Sequence, residues 1–293
     1  MILPANIRAA FLATLGAEPD HAYPVDGGMI NPSARAVIKG ESFFVKWNSN
    51  ALPLLFEVET RGLALLRTAN AFRIPAVIAQ GEAAADAPAY LVLEWIDATT
   101  EVDPQGYAVQ FGQALAALHR VFSPTFGLDH DNFIGSLVQT NTPSASWPQF
   151  FRDQRIALQI DIARELGHLP PYREALLRDL LNRIESILGD ALNPPSLLHG
   201  DLWSGNYFAA SGNQPVLFDP AVYYGDREIE IAYAQLLGAS PFFLDAYTES
   251  YPLDPGYEYR RPLLQLYPML VHLNHFGERY GEHVDAICRL YLI

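Results

Sequence analysis

The chain has 293 residues, half of them apolar, and a formal charge of −14 from 19 Lys+Arg against 33 Asp+Glu. That length supports one large domain or two lobes around a sizeable core. The acidic balance, with no basic run, disfavours a nucleic-acid partner and an anionic membrane surface.

No apolar run approaches the length of a membrane span. The N-terminus, Met1 to Arg8, lacks the basic start and apolar core of a signal peptide. Cys288 is the only cysteine, so no intrachain disulfide forms, and a reducing, cytoplasmic setting is expected. No repeat occurs at the periods of solenoids or propellers. The acidity could favour a cationic substrate, although a soluble acidic surface explains it as well.

In chain order, Ile7, Ala10, Phe11 and Leu15 recur at helical spacing over 5–15. Two β-rich runs, Ala36 to Ile38 and Ser42 to Trp47, flank Lys39-Gly40-Glu41 and predict a hairpin. Before them, Gly27-Gly28 gives a turn whose backbone N–H groups could face phosphate. The pair does not fit Gly-x-Gly-x-x-Gly, and a plain turn explains it equally. Lys46 ends an apolar strand, where it could reach the phosphates of a nucleotide or sit solvated at a sheet edge.

Residues 54–70 predict a helix with Leu55, Glu59, Gly62, Leu63 and Leu66 on one face. A carboxylate on an apolar stripe needs a partner, because burying a lone charge is costly. Lys46 is the obvious one, and Glu57, off the stripe, is assigned to solvent. Pro75 to Gln80 and Ala89 to Glu94 predict two more strands, joined by an exposed Ala-rich loop. Backbone groups from Glu94 to Ile96 could meet an adenine edge. The polar stretch Asp97 to Pro104 then marks a boundary between a lobe of residues 1–96 and one of 97–293.

The second part reads as mostly helical: Pro104 to Val121, Trp147 to Leu166, Tyr172 to Leu188, then helices ending near Leu237, Glu249, Tyr280 and Leu290. His119 is expected to be a structural, hydrogen-bonding histidine. The polar loop Ser123 to Ser146 carries Asn132, Gly135, Gln139 and Asn141, and loops of that length inside a compact domain are often functional. Asp226 could cap the helix that follows it. Tyr267, His272, Asn274, His275 and Phe276 mix polar and aromatic groups on one helix, as a pocket wall or as packing.

The chemistry concentrates at Leu198-His199-Gly200-Asp201-Leu202-Trp203-Ser204-Gly205-Asn206, followed by Phe218-Asp219-Pro220. Short apolar strands, Ser196 to Leu198 and Pro215 to Phe218, deliver Asp201, Asn206 and Asp219 near loops. Kinase-type phosphoryl transfer needs this set: a carboxylate to take a hydroxyl proton, and an amide plus a second carboxylate for magnesium. The Asp-x4-Asn spacing equals that of the protein-kinase catalytic loop. A plain pair of strands with a Gly-Asn turn is the structural alternative.

Through these residues the chain resembles the fructosamine-3-kinase (ketosamine kinase) family, within the aminoglycoside-phosphotransferase-like and protein-kinase-like group. Trp203-Ser204-Gly205, Tyr224-Gly225, Trp147 with Phe150-Phe151, and Asn274-His275-Phe276-Gly277 support the match. The resemblance implies an α+β, two-lobed kinase-like fold, with an antiparallel sheet and one main helix in the small lobe and a mostly helical large lobe. It implies ATP and Mg2+, and phosphorylation of the 3-hydroxyl of ketosamine sugars. By resemblance, Asp201 is the base, His199 braces its loop, and Asn206 and Asp219 hold the metal. Gly27, Gly28, Lys46 oriented by Glu59, and the Glu94 to Ile96 segment would serve the nucleotide. Trp203, Trp147 and His275 would meet the substrate. Two positions depart from the pattern. Met29 replaces a cysteine common in the family's Gly-rich loop, and Glu230 stands where the wider group often has Asp. A kinase of another small hydroxylated amine, and a non-catalytic nucleotide-binding protein, are the rival readings.

Overall fold

The computed structural model describes residues 1–25, 30–189 and 193–292, so Gly27, Gly28 and Met29 lie outside the described residues. The chain divides into two compact units, Met1–Tyr107 with Ser204–Pro220, and Ala108–Trp203 with Ala221–Ile293. No helix among the described residues is long and apolar enough to cross a membrane.

The first unit opens with α1 (Ala5–Leu15). A five-stranded antiparallel sheet follows: β1 (His21–Pro24), β2 (Ser33–Ile38), β3 (Glu41–Asn48), β4 (Val77–Gly81) and β5 (Ala89–Glu94), in the order β1-β2-β3-β5-β4. Side chains alternate faces along a strand. Ala34, Ala36 and Ile38 of β2, with Phe43 and Val45 of β3, therefore share one face, and Leu3, Ile7 and Phe11 close over it. The same alternation turns Lys46 to the other face of β3, a strand paired on both sides (Ser33↔Lys46, Lys46↔Leu91). α2 (Leu55–Thr68) buries Phe56, Val58, Glu59, Gly62, Leu63 and Leu66. β9 (Tyr207–Ala209) and β10 (Pro215–Leu217) complete this unit as a small antiparallel ladder.

The second unit is mostly helical, beginning with α3 (Pro104–Leu118), whose first residues belong to the first unit. The polar loop expected over Ser123 to Ser146 holds a short hairpin, β6 (Asn132–Ile134) and β7 (Leu137–Gln139). The helix opening at Trp147 runs without a break in helical residues, but its middle is π-helical: α4 (Trp147–Phe150), a π segment (Phe151–Ala157), then α5 (Leu158–Glu165). The helix expected over Tyr172 to Leu188 is two helices, α6 (Pro171–Leu181) and α7 (Ile184–Leu188). The chain leaves helical hydrogen bonding at Asn182-Arg183, where Arg183 Nη1 donates to Tyr291 O at 2.6 Å.

β8 (Ser196–Leu198) pairs antiparallel with β11 (Tyr223–Gly225), matching Tyr223 with Leu198. α8 (Glu228–Leu236), α9 (Pro241–Ser250), α10 (Tyr257–Phe276) and α11 (Gly281–Leu292) follow. Asp226 Oδ1 accepts the Glu228 N–H at 2.9 Å, as an N-terminal cap should.

Candidate active site

In the first unit, Lys46 Nζ lies 2.7 Å from Glu59 Oε2 and 2.6 Å from Asp219 Oδ1. Lys46 is 5 % exposed and Glu59 8 %, so the solvated edge-strand alternative does not hold. Burial works against the ammonium, but the two carboxylates outweigh it and push the Lys46 pKa above its ordinary value. Burial is also the main influence on Glu59. It raises the carboxyl to about 7 although Lys46 pulls the other way. Glu57 instead pairs with Arg61 one helical turn on, toward solvent.

Asp219 has φ +54, in the left-handed region, immediately before Pro220. A residue before proline favours extended backbone, so this conformation is held by its surroundings. Leu217 N–H donates to Arg73 O at 3.0 Å and Phe218 N–H to Asn206 O at 3.1 Å. The Asn206 amide donates to the Asp219 carbonyl at 3.3 Å, which brings the two expected metal ligands together. Glu94 is tied into its sheet. Its N–H donates to Ala76 O, and its carboxylate accepts from Ala76 N and pairs with Arg73.

In the second unit, the His199-Gly200-Asp201 loop is held from below by Glu230. Its carboxylate accepts the N–H of His199 (Oε2, 3.1 Å) and of Gly200 (Oε1, 2.8 Å). Glu230 Oε2 also meets His119 Nε2 at 3.0 Å, and His119 Nδ1 meets Tyr247 Oη at 2.7 Å. All of these groups except Gly200 are buried. Burial opposes ionisation of Glu230, yet the hydrogen bond and charge of His119, with other donors, hold its pKa below the ordinary range. Burial depresses the pKa of His119. His199 Nδ1 accepts the Asp201 N–H at 3.3 Å, and His199 O accepts from Ala221 N at 2.9 Å.

Asp201 opens on a pocket lined also by Tyr233, Tyr267, Pro268, Val271, His272 and Ile134. Of the polar and aromatic residues singled out on α10, Tyr267 and His272 reach this wall. Asn274 instead donates to Gln159. His275 Nε2 accepts the Ser136 N–H at 3.2 Å and so ties the hairpin turn to α10, while its Nδ1 meets Val271 O one turn back on the same helix at 2.9 Å. Trp147 is 1 % exposed, stacked among Phe126, Phe150 and Phe151. Close packing there makes it a core residue rather than a substrate contact. Trp203 is half-buried, with its N–H on Asp201 O at 3.0 Å.

Sequence reasoning missed Tyr233 and Arg155. Tyr233 follows Glu230 by three positions on α8, so helical spacing alone could have placed it beside the loop brace. Nothing local marks Arg155, whose side-chain partner Asn141 lies 14 positions back in the polar loop.

The fold and these residue sets define a protein-kinase-like phosphotransferase. The fructosamine kinase family model matches residues 6–293. The chain is 40% identical over 266 residues to the probable ketoamine kinase of Enterococcus faecium, covering 90% of this chain and 92% of that one. It is 35% identical over 271 residues to the chloroplastic protein-ribulosamine 3-kinase of Arabidopsis thaliana, covering 92% and 81%. Among solved structures, the "Putative fructosamine-3-kinase" of Haemophilus somnus 129PT superposes with TM-score 0.87 at 27% identity, covering 98% and 97%. The chain belongs to the fructosamine kinase family.

Proposed function

We propose that this kinase transfers the γ-phosphoryl group of ATP to the 3-hydroxyl of a ketosamine sugar, free or carried on a protein lysine. The observation that carries the reading is the Lys46–Glu59–Asp219 cluster, with Asn206 on Asp219, in a chain of this family. In this reading residues 1–96 serve the nucleotide and residues 97–293 serve catalysis and the acceptor.

Lys46 carries a fixed positive charge suited to nucleotide phosphate oxygens, and Glu59 limits where its Nζ can go. The Glu94 N–H is committed to Ala76 O, so an adenine contact in this segment would fall to Ile96. Gly27 and Gly28 keep their sequence-based assignment to the phosphates.

Asn206 and Asp219 offer an amide and a carboxylate, hard oxygen donors that fit magnesium. No group of three or more His, Cys, Asp or Glu able to hold a metal occurs among the described residues. So small a protein contribution suits an ion that keeps waters and takes phosphate oxygens. Bound there, magnesium would supply charge neutralisation on the phosphates.

Asp201 would accept the proton of the attacking sugar hydroxyl as its oxygen bonds to phosphorus and the bond to the leaving diphosphate breaks. No covalent enzyme intermediate is required, and positioning supplies most of the rate. His199 and Glu230 would keep the Asp201 loop in place. Trp203 and the Tyr233, Tyr267 and His272 wall would receive the acceptor. A cytoplasmic setting agrees with a single, buried cysteine.

The test is magnesium-dependent ATP consumption against ribulose-lysine, fructose-lysine, an aminoglycoside and choline, with Asp201→Asn as control. Turnover on a ketosamine, lost by orders of magnitude in Asp201→Asn, is expected. Turnover only on another acceptor would overturn the substrate. Full turnover by Asp201→Asn would overturn the base.

A further inference from the structure

Arg155 is completely buried in the π-helical segment of the second unit. Its charge is met by neutral groups: Thr140 O at 2.6 Å, Gln154 O at 3.0 Å and Asn141 Oδ1 at 2.7 Å. Its guanidinium also lies 4.0 Å from the Tyr223 ring centroid, 4.6 Å from Phe150 and 5.5 Å from Tyr267. An ionised group that deep is expensive to keep, and π-helical turns concentrate at functional sites.

An arginine can only donate, and this fixes the sense of every bond beyond it. Asn141 Oδ1 must accept from Arg155, so Asn141 Nδ2 donates to Asn132 Oδ1 at 3.0 Å. Asn132 Oδ1 is thereby an acceptor, and its Nδ2 donates to Val222 O at 2.7 Å. Gln139 Nε2 donates to Asn132 Oδ1 at 2.8 Å and to Ala221 O at 3.0 Å. That leaves Gln139 Oε1 to accept the Tyr267 hydroxyl at 2.6 Å. Asn132, Gln139 and Asn141 are all buried. Bonds aligned head to tail in a dry interior reinforce one another.

The far ends of this relay lie at the acceptor pocket. Ala221 N–H holds His199 O, and the space beside Gly200 is filled by Ala221 O. Tyr267 and Tyr223 line the same pocket as Asp201. We infer that Arg155 is a positioning residue for the acceptor: through Asn141, Asn132 and Gln139 it sets the Ala221–Val222 backbone against the Asp201 loop and commits the Tyr267 hydroxyl hydrogen. Any further bond at Tyr267 Oη is then made as an acceptor, which suits a hydroxyl or ammonium donor on the substrate. The inference rests on Asp201 as the base.

Gln139→Glu tests it, because the introduced carboxylate keeps the shape and the Tyr267 contact but turns a donor into an acceptor facing Ala221 O. With a ribulose-lysine acceptor, kcat is expected to fall about tenfold or more while KM for ATP stays within about twofold, in protein shown to be folded by its melting curve. Should that variant not fold, Tyr267→Phe removes only the hydroxyl, with its bond to Gln139 and the acceptor it offers the substrate, and acceptor KM should rise severalfold at unchanged KM for ATP. Wild-type kcat in folded Gln139→Glu, or wild-type acceptor KM in Tyr267→Phe, would overturn the inference. Asp201→Asn run alongside separates the two failures. If it is inactive while Gln139→Glu is normal, only the relay falls; if it is active, the base assignment falls and the inference with it.

Discussion

Lys46 Nζ sits 2.6 Å from Asp219 Oδ1, so the lysine proposed for phosphate and a carboxylate proposed for metal are paired with each other. Glu59 holds the opposite side of the ammonium at 2.7 Å. Asp219 is the more exposed partner, with a side chain 51% accessible against 9% for Glu59. Asp219 is therefore the one able to turn outward toward a cation, while Glu59 remains the fixed partner.

Lys46→Ala removes the buried charge proposed to meet phosphate. Catalytic efficiency toward ATP should fall on the order of 10²–10³-fold, read from kcat/KM at subsaturating ATP. Unchanged kinetics at low ATP would remove the assignment. The same variant has a pH signature. Glu59 already sits at about 7, above its ordinary 4.5, because burial dominates. Losing the ammonium raises it further. A carboxyl raised in the folded state binds its proton more tightly folded than unfolded, so ionisation opposes folding. Both proteins lose this contribution in parallel from about pH 5 to 7, so the Lys46→Ala protein should lose stability relative to wild type as pH rises above about 7, where wild-type Glu59 ionises and the variant's does not. Melting curves across that range decide it.

Glu230→Ala leaves the N–H groups of His199 and Gly200 and His119 Nε2 without their acceptor. Two of these donors are in buried residues, and an abandoned buried donor costs about 1–3 kcal/mol, so a loss of about 2 kcal/mol or more is expected in chemical denaturation. Glu230→Asp should recover part of it, because a shorter carboxylate can still accept from some of the three donors. Equal stability of Glu230→Ala and wild type would show that the loop is held by other means.

Much of this was legible because charge and periodicity conflict at few positions. Glu59 on the apolar stripe of α2 and Lys46 at the end of an apolar strand each demand a partner, and they supply one another. The β6–β7 hairpin was not legible, since three-residue strands around Gly135 carry too little alternation to stand out from a polar loop. The break between α6 and α7 was hidden because the leucine stripe continues through it, and periodicity does not register a local kink. Trp147 illustrates a different limit. Trp-Pro-x-Phe-Phe fits a pocket or a core, and only the packing of Phe126, Phe150 and Phe151 around the indole decides for the core. Arg155 and its relay join residues 7 to 128 positions apart at single links, across several elements rather than along one periodic pattern.

Acid should loosen the catalytic loop before it disrupts the rest of the second unit. Burial depresses His119, so the folded state resists its protonation. Its contribution is present above the ordinary 6.5 and is lost as pH falls below that value. Glu230 is also depressed, so its contribution is lost as pH falls from the ordinary 4.5 through its lower folded value. Hydrogen exchange at the His199 and Gly200 amides, corrected for intrinsic rates, should lose protection from about pH 6 downward. Protection constant to pH 4 would show that the His119–Glu230 pair does not govern the loop.

Gly200→Ala should abolish turnover by displacing the loop rather than by removing a reacting group. Gly200 has φ +86, which an L side chain adopts only with strain. A methyl group there would also overlap Ala221 O, a backbone atom that cannot rotate away. Relief requires moving either Ala221, which is pinned by His199 O and Gln139 Nε2, or Gly200, which is pinned by Glu230 Oε1. Left-handed strain alone costs about 1–3 kcal/mol, and the overlap adds to it. Kinase turnover should fall at least about a hundredfold, since a 1 Å misplacement of a reacting group costs that much. Lys46 and Asp219 are in the other unit and need not move, so nucleotide affinity measured by calorimetry should stay near wild type. Loss of ATP binding together with activity would instead mean that the substitution unfolds the chain, and normal turnover would show that the loop tolerates a different path.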